Sequence, residues 1–201
     1  MAATEIEICN LALSNIRSLK FIEALTEDNN EAIACNLHYA RTRDLALRRA
    51  DWPFARKRLA LIASGTPPDE WGYSYALPAD CLRVRGVQDG MRVRSFDATI
   101  KYAIENDGTG SGRVILMDIP DAVLIYTMRV TDTTVFDDDF AEALTWKLAA
   151  NICRPLDKDA QVCAQTLQIA EEIMGRAVAR AYNEQKPDAQ PESDFYTTRL
   201  N

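Results

Sequence analysis

The chain has 201 residues, of which 47% are hydrophobic and 26% are charged, proportions that are ordinary for a soluble globular protein with one sizeable core. Its formal net charge of −7 argues against binding polyanions over the whole surface, so a nucleic-acid contact would need a local basic patch. The longest apolar runs are too short for a transmembrane helix, and the first ten residues lack the basic and apolar regions of a signal peptide. We therefore expect a protein that is made in the cytoplasm and has no membrane contact.

The N-terminal region predicts an amphipathic helix over residues 4–19, with Thr4 available as its N-cap. The apolar residues of this pattern are spaced three and four apart: Ile6, Cys9, Leu13 and Ile16. The polar sequence EALTEDNNEA, residues 23–32, then interrupts the pattern and indicates a turn.

A second helical pattern runs from about residue 28 to residue 51, where Pro53 disfavours helical geometry in the residue before it. Asp44 precedes Arg48 by four positions, the favourable order for a surface ion pair worth about 0.3–0.5 kcal/mol. We expect one side of this helix to be formed by four apolar residues: Ile33, Leu37, Ala40 and Leu47.

From about Trp71 the hydrophobic period changes from 3.6 residues to 2, which predicts β-strands. Asp89 and Gly90 separate two alternating runs and favour a hairpin with a type I′ turn. Further alternating or apolar runs follow as far as residue 131, interrupted by the glycine-rich loop 106–112. Five or six short strands in succession indicate a small antiparallel β subdomain.

Two more helices are predicted after the strands. The first begins at Asp137, Asp138 and Asp139, whose carboxylates suit a helix N-terminus, and it ends at Pro155. The last helix covers about residues 158–184. Small and apolar residues recur along it at heptad spacing: Ala160, Cys163, Leu167, Ala170, Met174, Ala177 and Ala181.

The predicted fold class is α+β. A helical bundle of four main helices, residues 1–70 and 132–184, is interrupted by the small antiparallel β subdomain, residues 71–131. An extended C-terminal arm, residues 185–201, follows; it is polar, contains two prolines and has no periodicity. We interpret this segment as a docking arm, and the side chains able to anchor it are Phe195, Tyr196, Arg199 and Leu200.

Residues with catalytic or metal-binding chemistry are few. Five cysteines at irregular spacing, without a CxxC motif, predict reduced thiols in the core. His38 is the single histidine, and Cys35 lies three residues before it on the same predicted helix, so a thiol or metal enzyme would depend on this pair. A buried thiol beside a partly exposed imidazole is the alternative interpretation. We predict no enzyme, no cofactor and no metal site.

Residues 41–58 contain seven basic residues against two acidic ones. Three interpretations remain open: a solvated helix end, a DNA-binding module that uses the face from Arg41 to Arg58, and a subunit interface, where arginine is enriched. Complementary acidic segments, residues 23–31 and 132–142, occur in the same sequence and would allow a closed ring with heterologous contacts. The interface interpretation selects Arg41, Arg48, Arg49, Arg56, Arg58, Asp137 and Asp138.

Four segments occur in a characteristic order: IEICNLALSNI, then EAIACNLHYARTRDLALRRADWPFARKRLALIA, then YALPADCLRV, then FAEALTWKLAANICRPL before a long C-terminal helix. In this order, over almost the whole chain, the sequence resembles the tail tubular protein A family, the head-to-tail adaptors (gatekeeper or connector proteins) of short-tailed bacteriophages. The most specific parts are Trp-Pro-Phe-Ala at residues 52–55 and Leu-Pro-Ala-Asp at residues 77–80. The family commonly has Asn where Pro53 stands, a departure that stiffens this turn.

The resemblance implies a structural virion protein at the head–tail junction, made in the cytoplasm of the bacterial host. Such a protein forms a homo-oligomeric ring, usually of twelve copies, beneath the portal protein and above the downstream tail or nozzle protein. Double-stranded DNA passes through the lumen during ejection without specific binding, since a basic grip would be strong and salt-dependent. The resemblance therefore favours subunit interfaces for the basic residues. It also implies that Trp52, Pro53 and Phe54 form a structural joint, and that the arm docks on the portal or a neighbouring subunit.

Overall fold

The computed structural model describes residues 3–90, 100–108, 110 and 112–184. These residues form a mixed α/β fold with four α-helices and two three-stranded antiparallel sheets. The helices are α1 (Glu5–Asn15), α2 (Asn30–Arg49), α3 (Asp138–Cys153) and α4 (Ala160–Glu184). The strands are β1 (Arg56–Ala60), β2 (Tyr73–Ala76), β3 (Cys81–Asp89), β4 (Tyr102–Asn106), β5 (Arg113–Met117) and β6 (Ala122–Met128).

Two expectations fall on other parts of the chain. The proposed anchors of the arm, Phe195, Tyr196, Arg199 and Leu200, lie outside the described residues. So does the second strand of the hairpin expected after Asp89 and Gly90.

Side-chain caps fix the starts of three helices. The hydroxyl of Thr4 accepts a hydrogen bond from the backbone N–H of Glu7, whose carboxylate accepts one from the N–H of Thr4, so the predicted N-cap of α1 is confirmed. Asn29 caps α2, because its side-chain oxygen accepts a hydrogen bond from the backbone N–H of Ala32. The carboxylate of Asp137 accepts from the N–H of Phe140 at 2.6 Å, which confirms that the acidic run starts α3.

Helix α2 buries a different face from the one the sequence predicted. Ile33 is 52% exposed and Leu37 is 71% exposed, and Ala40 is exposed as well, whereas Leu47 is buried as expected. The buried side consists mainly of smaller or polar-tipped residues: Ala32, Cys35, Tyr39, Thr42, Ala46 and Leu47. Small side chains allow α1 and α3 to pack closely on α2. Hydrophobicity alone does not predict the stability that this close packing provides.

The predicted ion pair between Asp44 and Arg48 is wrong. Asp44 instead pairs with Arg43, next to it in α2, and with Arg129, just after β6, at 2.8 Å in both cases. The sheet thus supplies a cation that reaches Asp44 from outside the helix, and tertiary placement overrides the weak preference of the helical spacing.

The two sheets have the strand orders β1-β6-β3 and β2-β5-β4, and every pairing is antiparallel. Side chains from both sheets share one apolar core, which includes Tyr75, Ile115, Met117, Leu124 and Tyr126. Strand β1 lies in the segment 1–70 that the sequence assigned to the helices. Its charged side chains suit an edge strand, and they obscured the alternating pattern by which a strand is recognised.

The cysteines do not all remain reduced thiols, contrary to expectation. Cys153 at the end of α3 and Cys163 in the first turn of α4 form a disulfide with 5.6 Å between their Cα atoms. Cys9, Cys35 and Cys81 are free and buried. The turn after Pro155 reverses the chain and brings the two helix ends together, a proximity that irregular spacing in the sequence does not reveal.

Reduction of this disulfide should lower the free energy of unfolding by about 2–3 kcal/mol, because the bond closes a short loop in the unfolded chain. Urea unfolding with and without reductant measures the difference. The variant carrying Cys153→Ser and Cys163→Ser should not respond to reductant. Labelling of denatured, unreduced protein should find three thiols per chain; five would contradict the disulfide.

Trp52 closes the C-terminal end of α2 against α3. Its ring is fully buried, its indole N–H donates to the carbonyl of Ala46 at 3.0 Å, and its ring meets Phe140 edge-on at 5.0 Å. Phe54 packs on Phe140 at 5.1 Å, while Pro53 is exposed at the start of a short 3₁₀ turn. The chain enters β1 directly after this turn, so the aromatic cluster lies between the helices and the first sheet.

Trp52→Ala should destabilise the protein by about 3–5 kcal/mol, since it removes a buried aromatic ring and the donor to Ala46. Chemical unfolding measures the loss. Trp71→Ala is the matched control, because Trp71 is only partly buried and lies in a loop, and its effect should be much smaller. A Trp52→Ala protein as stable as the wild type would contradict the joint.

Candidate functional site

The basic residues between positions 41 and 58 are distributed over the C-terminal half of α2 and strand β1. Four of the seven interact with carboxylates of their own chain: Arg43 with Asp44, Arg49 with Glu171 at 2.9 Å, Arg56 with Asp51, and Lys57 with Asp80 at 3.1 Å. Much of the local positive charge is therefore balanced within the protomer.

Three of the predicted interface arginines, unlike these four residues, are not paired with a carboxylate of the described chain. Arg41, Arg48 and Arg58 are exposed and form no ion pair with the part of the chain that the structure describes. The backbone carbonyl of Arg48 accepts hydrogen bonds from Arg83 at 3.1 Å and Arg85 at 3.3 Å, so the side chain of Arg48 can be changed without removing these contacts.

The predicted acidic interface residues have unequal surroundings. Asp137 is partly buried as the N-cap of α3, and its burial, together with the nearby carboxylates of Asp139 and Glu184, raises its pKa above the usual range. Asp138 is exposed, and Asp139 pairs with Arg180 on α4. Asp138 is thus the better placed of the two predicted residues to contact another subunit.

The exposed side of α2 carries an apolar stripe, and two of its residues, Ile33 and Leu37, belong to the apolar side that the sequence predicted. Its apolar members are Ile33, Leu37 and Leu45, the last 55% exposed, and the exposed Arg41 lies at the same four-residue spacing between Leu37 and Leu45. We call these four residues the α2 stripe. The sequence of α2 contains two apolar faces, one of them rich in small residues. This pattern was the signal that could have revealed the exposed stripe.

Asp80, the last residue of the Leu-Pro-Ala-Asp motif, links two strands of the first sheet. Its carboxylate accepts hydrogen bonds from Tyr126 on β6 at 3.0 Å and from Lys57 on β1 at 3.1 Å. Partial burial acts to raise the pKa of Asp80, but these two hydrogen bonds outweigh it, so the pKa lies below its usual 3.8. The motif therefore has a clear structural role.

The contribution of Asp80 to stability should disappear at low pH. Because its pKa is lower in the folded state, the stabilisation is present above about pH 4 and is lost as the pH falls through the folded-state pKa. We expect Asp80→Asn to cost about 1 kcal/mol at pH 7, and the cost to shrink as the pH falls from about 4 through the folded-state pKa. Unfolding experiments across this range, with Lys57→Gln as the partner control, measure the effect; a cost independent of pH would contradict it.

Cys35 is oriented toward the core rather than toward a metal or catalytic site. It is buried, as is Cys9 on α1, and the interaction with Cys35, together with burial, raises the pKa of Cys9. His38 is partly exposed. Within the described ranges, no group of three His, Cys, Asp or Glu side chains is arranged to hold a metal ion.

Comparison with models of known protein families found no match, and comparison with curated proteins found none either. Of the helices in the described part of the chain, none is long and apolar enough to cross a membrane. The resemblance to phage adaptors therefore depends on the segments and motifs of the sequence itself.

Proposed function

We propose that this protein is a structural component of a bacteriophage virion, a head-to-tail adaptor that assembles as a closed homo-oligomeric ring. In this proposal the ring lies beneath the portal, joins the downstream tail or nozzle protein, and lets double-stranded DNA pass during ejection. The four helices form one bundle that builds one tier of the ring, and the two sheets build another. Residues 185–201 are the arm that docks on the portal or a neighbouring subunit. The α2 stripe is the observation that carries the proposal.

The α2 stripe supports assembly because it exposes large apolar side chains in one line along a helix. Burial of a leucine or isoleucine side chain contributes about 1.5–3 kcal/mol, so a partner that covers Ile33, Leu37 and Leu45 gains substantially. Several large apolar side chains exposed along one helix, with charged residues among them, are typical of protein–protein interfaces. Arg41, the charged member of the α2 stripe, would orient the partner rather than supply most of the affinity.

The distribution of charge favours a ring over a symmetric dimer. Exposed arginines occur on α2 and β1, while exposed Asp138 lies at the start of α3, so the protomer offers two unlike, complementary surfaces. Contacts between unlike surfaces are heterologous, and they generate a closed ring when the rotation between copies closes.

DNA binding by the face from Arg41 to Arg58 is the second candidate function, favoured by the density of basic residues there. The ion pairs of Arg43, Arg49, Arg56 and Lys57 weaken this candidate, since they lower the charge available to phosphates. If only the three remaining arginines contacted phosphates, the logarithm of the DNA-binding constant would fall against the logarithm of the salt concentration with a slope of about −2.7. This slope corresponds to weak binding.

Leu37→Glu should prevent or weaken ring assembly, because it places a carboxylate in the apolar interface while leaving the folded protomer intact. Light scattering and electron microscopy, on the protein alone and after addition of portal, should show rings of many 22.5 kDa subunits for the wild type and mainly protomers for the variant.

Leu167→Glu is the matched control, since Leu167 is similarly exposed on α4 and lies outside the α2 stripe. Both variants should melt within a few degrees of the wild type. Rings that persist in Leu37→Glu would exclude the α2 stripe as the interface. A wild type that stays a protomer with and without portal would overturn the ring itself.

A further inference from the structure

The loop that follows α1 exposes two large apolar side chains between buried anchors. Leu19 is 92% exposed and Phe21 is 58% exposed, although Ser18 and Ile22 on either side of them are buried. We call residues 17–21 the α1 loop. Neither the core nor the α2 stripe accounts for these two side chains in solvent.

Hydrogen bonds hold the α1 loop at both ends. Near its start, the N–H of Ser18 donates to the carbonyl of Leu13 at 2.9 Å, which fastens the loop to the last turn of α1. Just after it, the side chain of Asn10 donates to the carbonyl of Ile22 at 2.9 Å and accepts from the N–H of Ile22 at 2.8 Å. Because the loop is already held in place, a partner that binds it loses little conformational entropy.

Arg17 occupies a backbone position that favours glycine. Its φ is 58°, in the left-handed region, at the place after a helix end where glycine is most common. The side chains of Arg17 and Lys20 are exposed, and neither forms an ion pair with the residues that the structure describes. A cation at a strained position, without such a pair, indicates a role outside the protomer.

The turn between β6 and α3 is an exposed surface of the opposite charge. Asp132, Val135 and Asp138 are exposed in it. The carboxylate of Asp132 accepts hydrogen bonds from the hydroxyl of Thr134 at 2.7 Å and from its N–H at 2.9 Å, and these bonds lower the pKa of Asp132. We call residues 132–138 the acidic turn.

We propose that the α1 loop of one protomer docks on the acidic turn of a second copy of the chain. The two cations of the α1 loop pair with Asp132 and Asp138, and its two apolar side chains cover Val135. The contact joins unlike surfaces and is therefore heterologous, as a ring requires. It rests on the proposed function, which supplies the second copy, and it identifies two surfaces that meet in the ring.

Charge and side-chain type favour the α1 loop as the partner of the acidic turn. The α2 stripe carries a single cation, Arg41, whereas the α1 loop offers two cations for the two exposed carboxylates. Leu19, the most exposed apolar residue of the loop, has no ring that could stack on a base, which favours a protein partner over single-stranded nucleic acid. The α2 stripe remains a separate part of the proposed interface.

Photo-crosslinking in the full-length chain tests the proposal. Benzoylphenylalanine in place of Phe21 should give a product with the mass of two chains, in which the crosslinks map to residues 132–138. Lys20→Glu should lower the yield by about fivefold or more, since it places a carboxylate opposite the acidic turn. Adding Asp138→Lys to Lys20→Glu should restore part of the yield, because opposite charges again face each other across the contact.

Three further variants separate this contact from general effects of charge and folding. Arg17→Gly should lower the yield without lowering the melting temperature, because glycine adopts the left-handed backbone without strain. Lys101→Glu, which changes an exposed lysine just before β4, should leave the yield unchanged. Benzoylphenylalanine in place of Leu37, in the α2 stripe, should not crosslink to residues 132–138.

Several results would overturn the proposal. The absence of a two-chain product, crosslinks that map outside residues 132–138, or an equal yield in Lys20→Glu each contradict it. Crosslinks from position 37 to the acidic turn would assign that turn to the α2 stripe. Binding to vesicles of anionic phospholipid that is lost in Lys20→Glu would assign the α1 loop to a membrane surface instead.

The mass of the assembly, measured by light scattering, separates this inference from the proposed function. Rings that form without crosslinks between the α1 loop and the acidic turn would leave the proposed function intact and remove the contact. Crosslinked pairs of chains without rings would support the contact and overturn the ring.

Discussion

The C-terminal end of α2 is the point on which the rest of the structure depends. A helix end leaves backbone carbonyls without partners inside the helix, and here groups from other parts of the chain supply the donors. The indole of Trp52 bonds the carbonyl of Ala46, and the guanidinium groups of Arg83 and Arg85 on β3 bond the carbonyl of Arg48. These three contacts fix the direction in which the chain leaves the helices and enters the first sheet.

The same junction explains why a strongly basic stretch is less basic in the folded protein. Arginines that cap a helix end also interact with the negative end of the helix dipole, so part of their charge has a structural role. Carboxylates from several elements are drawn into the region, including Asp44, Asp51 and Glu171. In the described residues of this stretch, the arginines without a carboxylate partner are therefore Arg41 in the α2 stripe, Arg48 at the end of α2 and Arg58 on β1.

The sequence predicted the helices and most of the strands because each has a local signal: a cap, a periodicity or a proline. It did not predict which face of α2 is buried, because Cys35, Tyr39 and Ala46 are selected by the shape of α1 and α3 rather than by hydrophobicity. The disulfide from Cys153 and the strand β1 were missed for a related reason. Both depend on tertiary neighbours that the local pattern does not encode.

Of the candidate interface, the sequence identified Arg41 and Arg48 from charge density, but it placed Ile33 and Leu37 on the same side of α2 as Leu47, which is buried. This error follows from the assumption that each helix has one apolar face. Helix α2 instead has a small-residue face toward α1 and α3 and a larger apolar face toward solvent. Such a helix can fold stably with one face packed on its neighbours. Burial of the other face by a partner would then stabilise the complex. The second face of α2 is therefore the feature that most directly supports the proposed assembly.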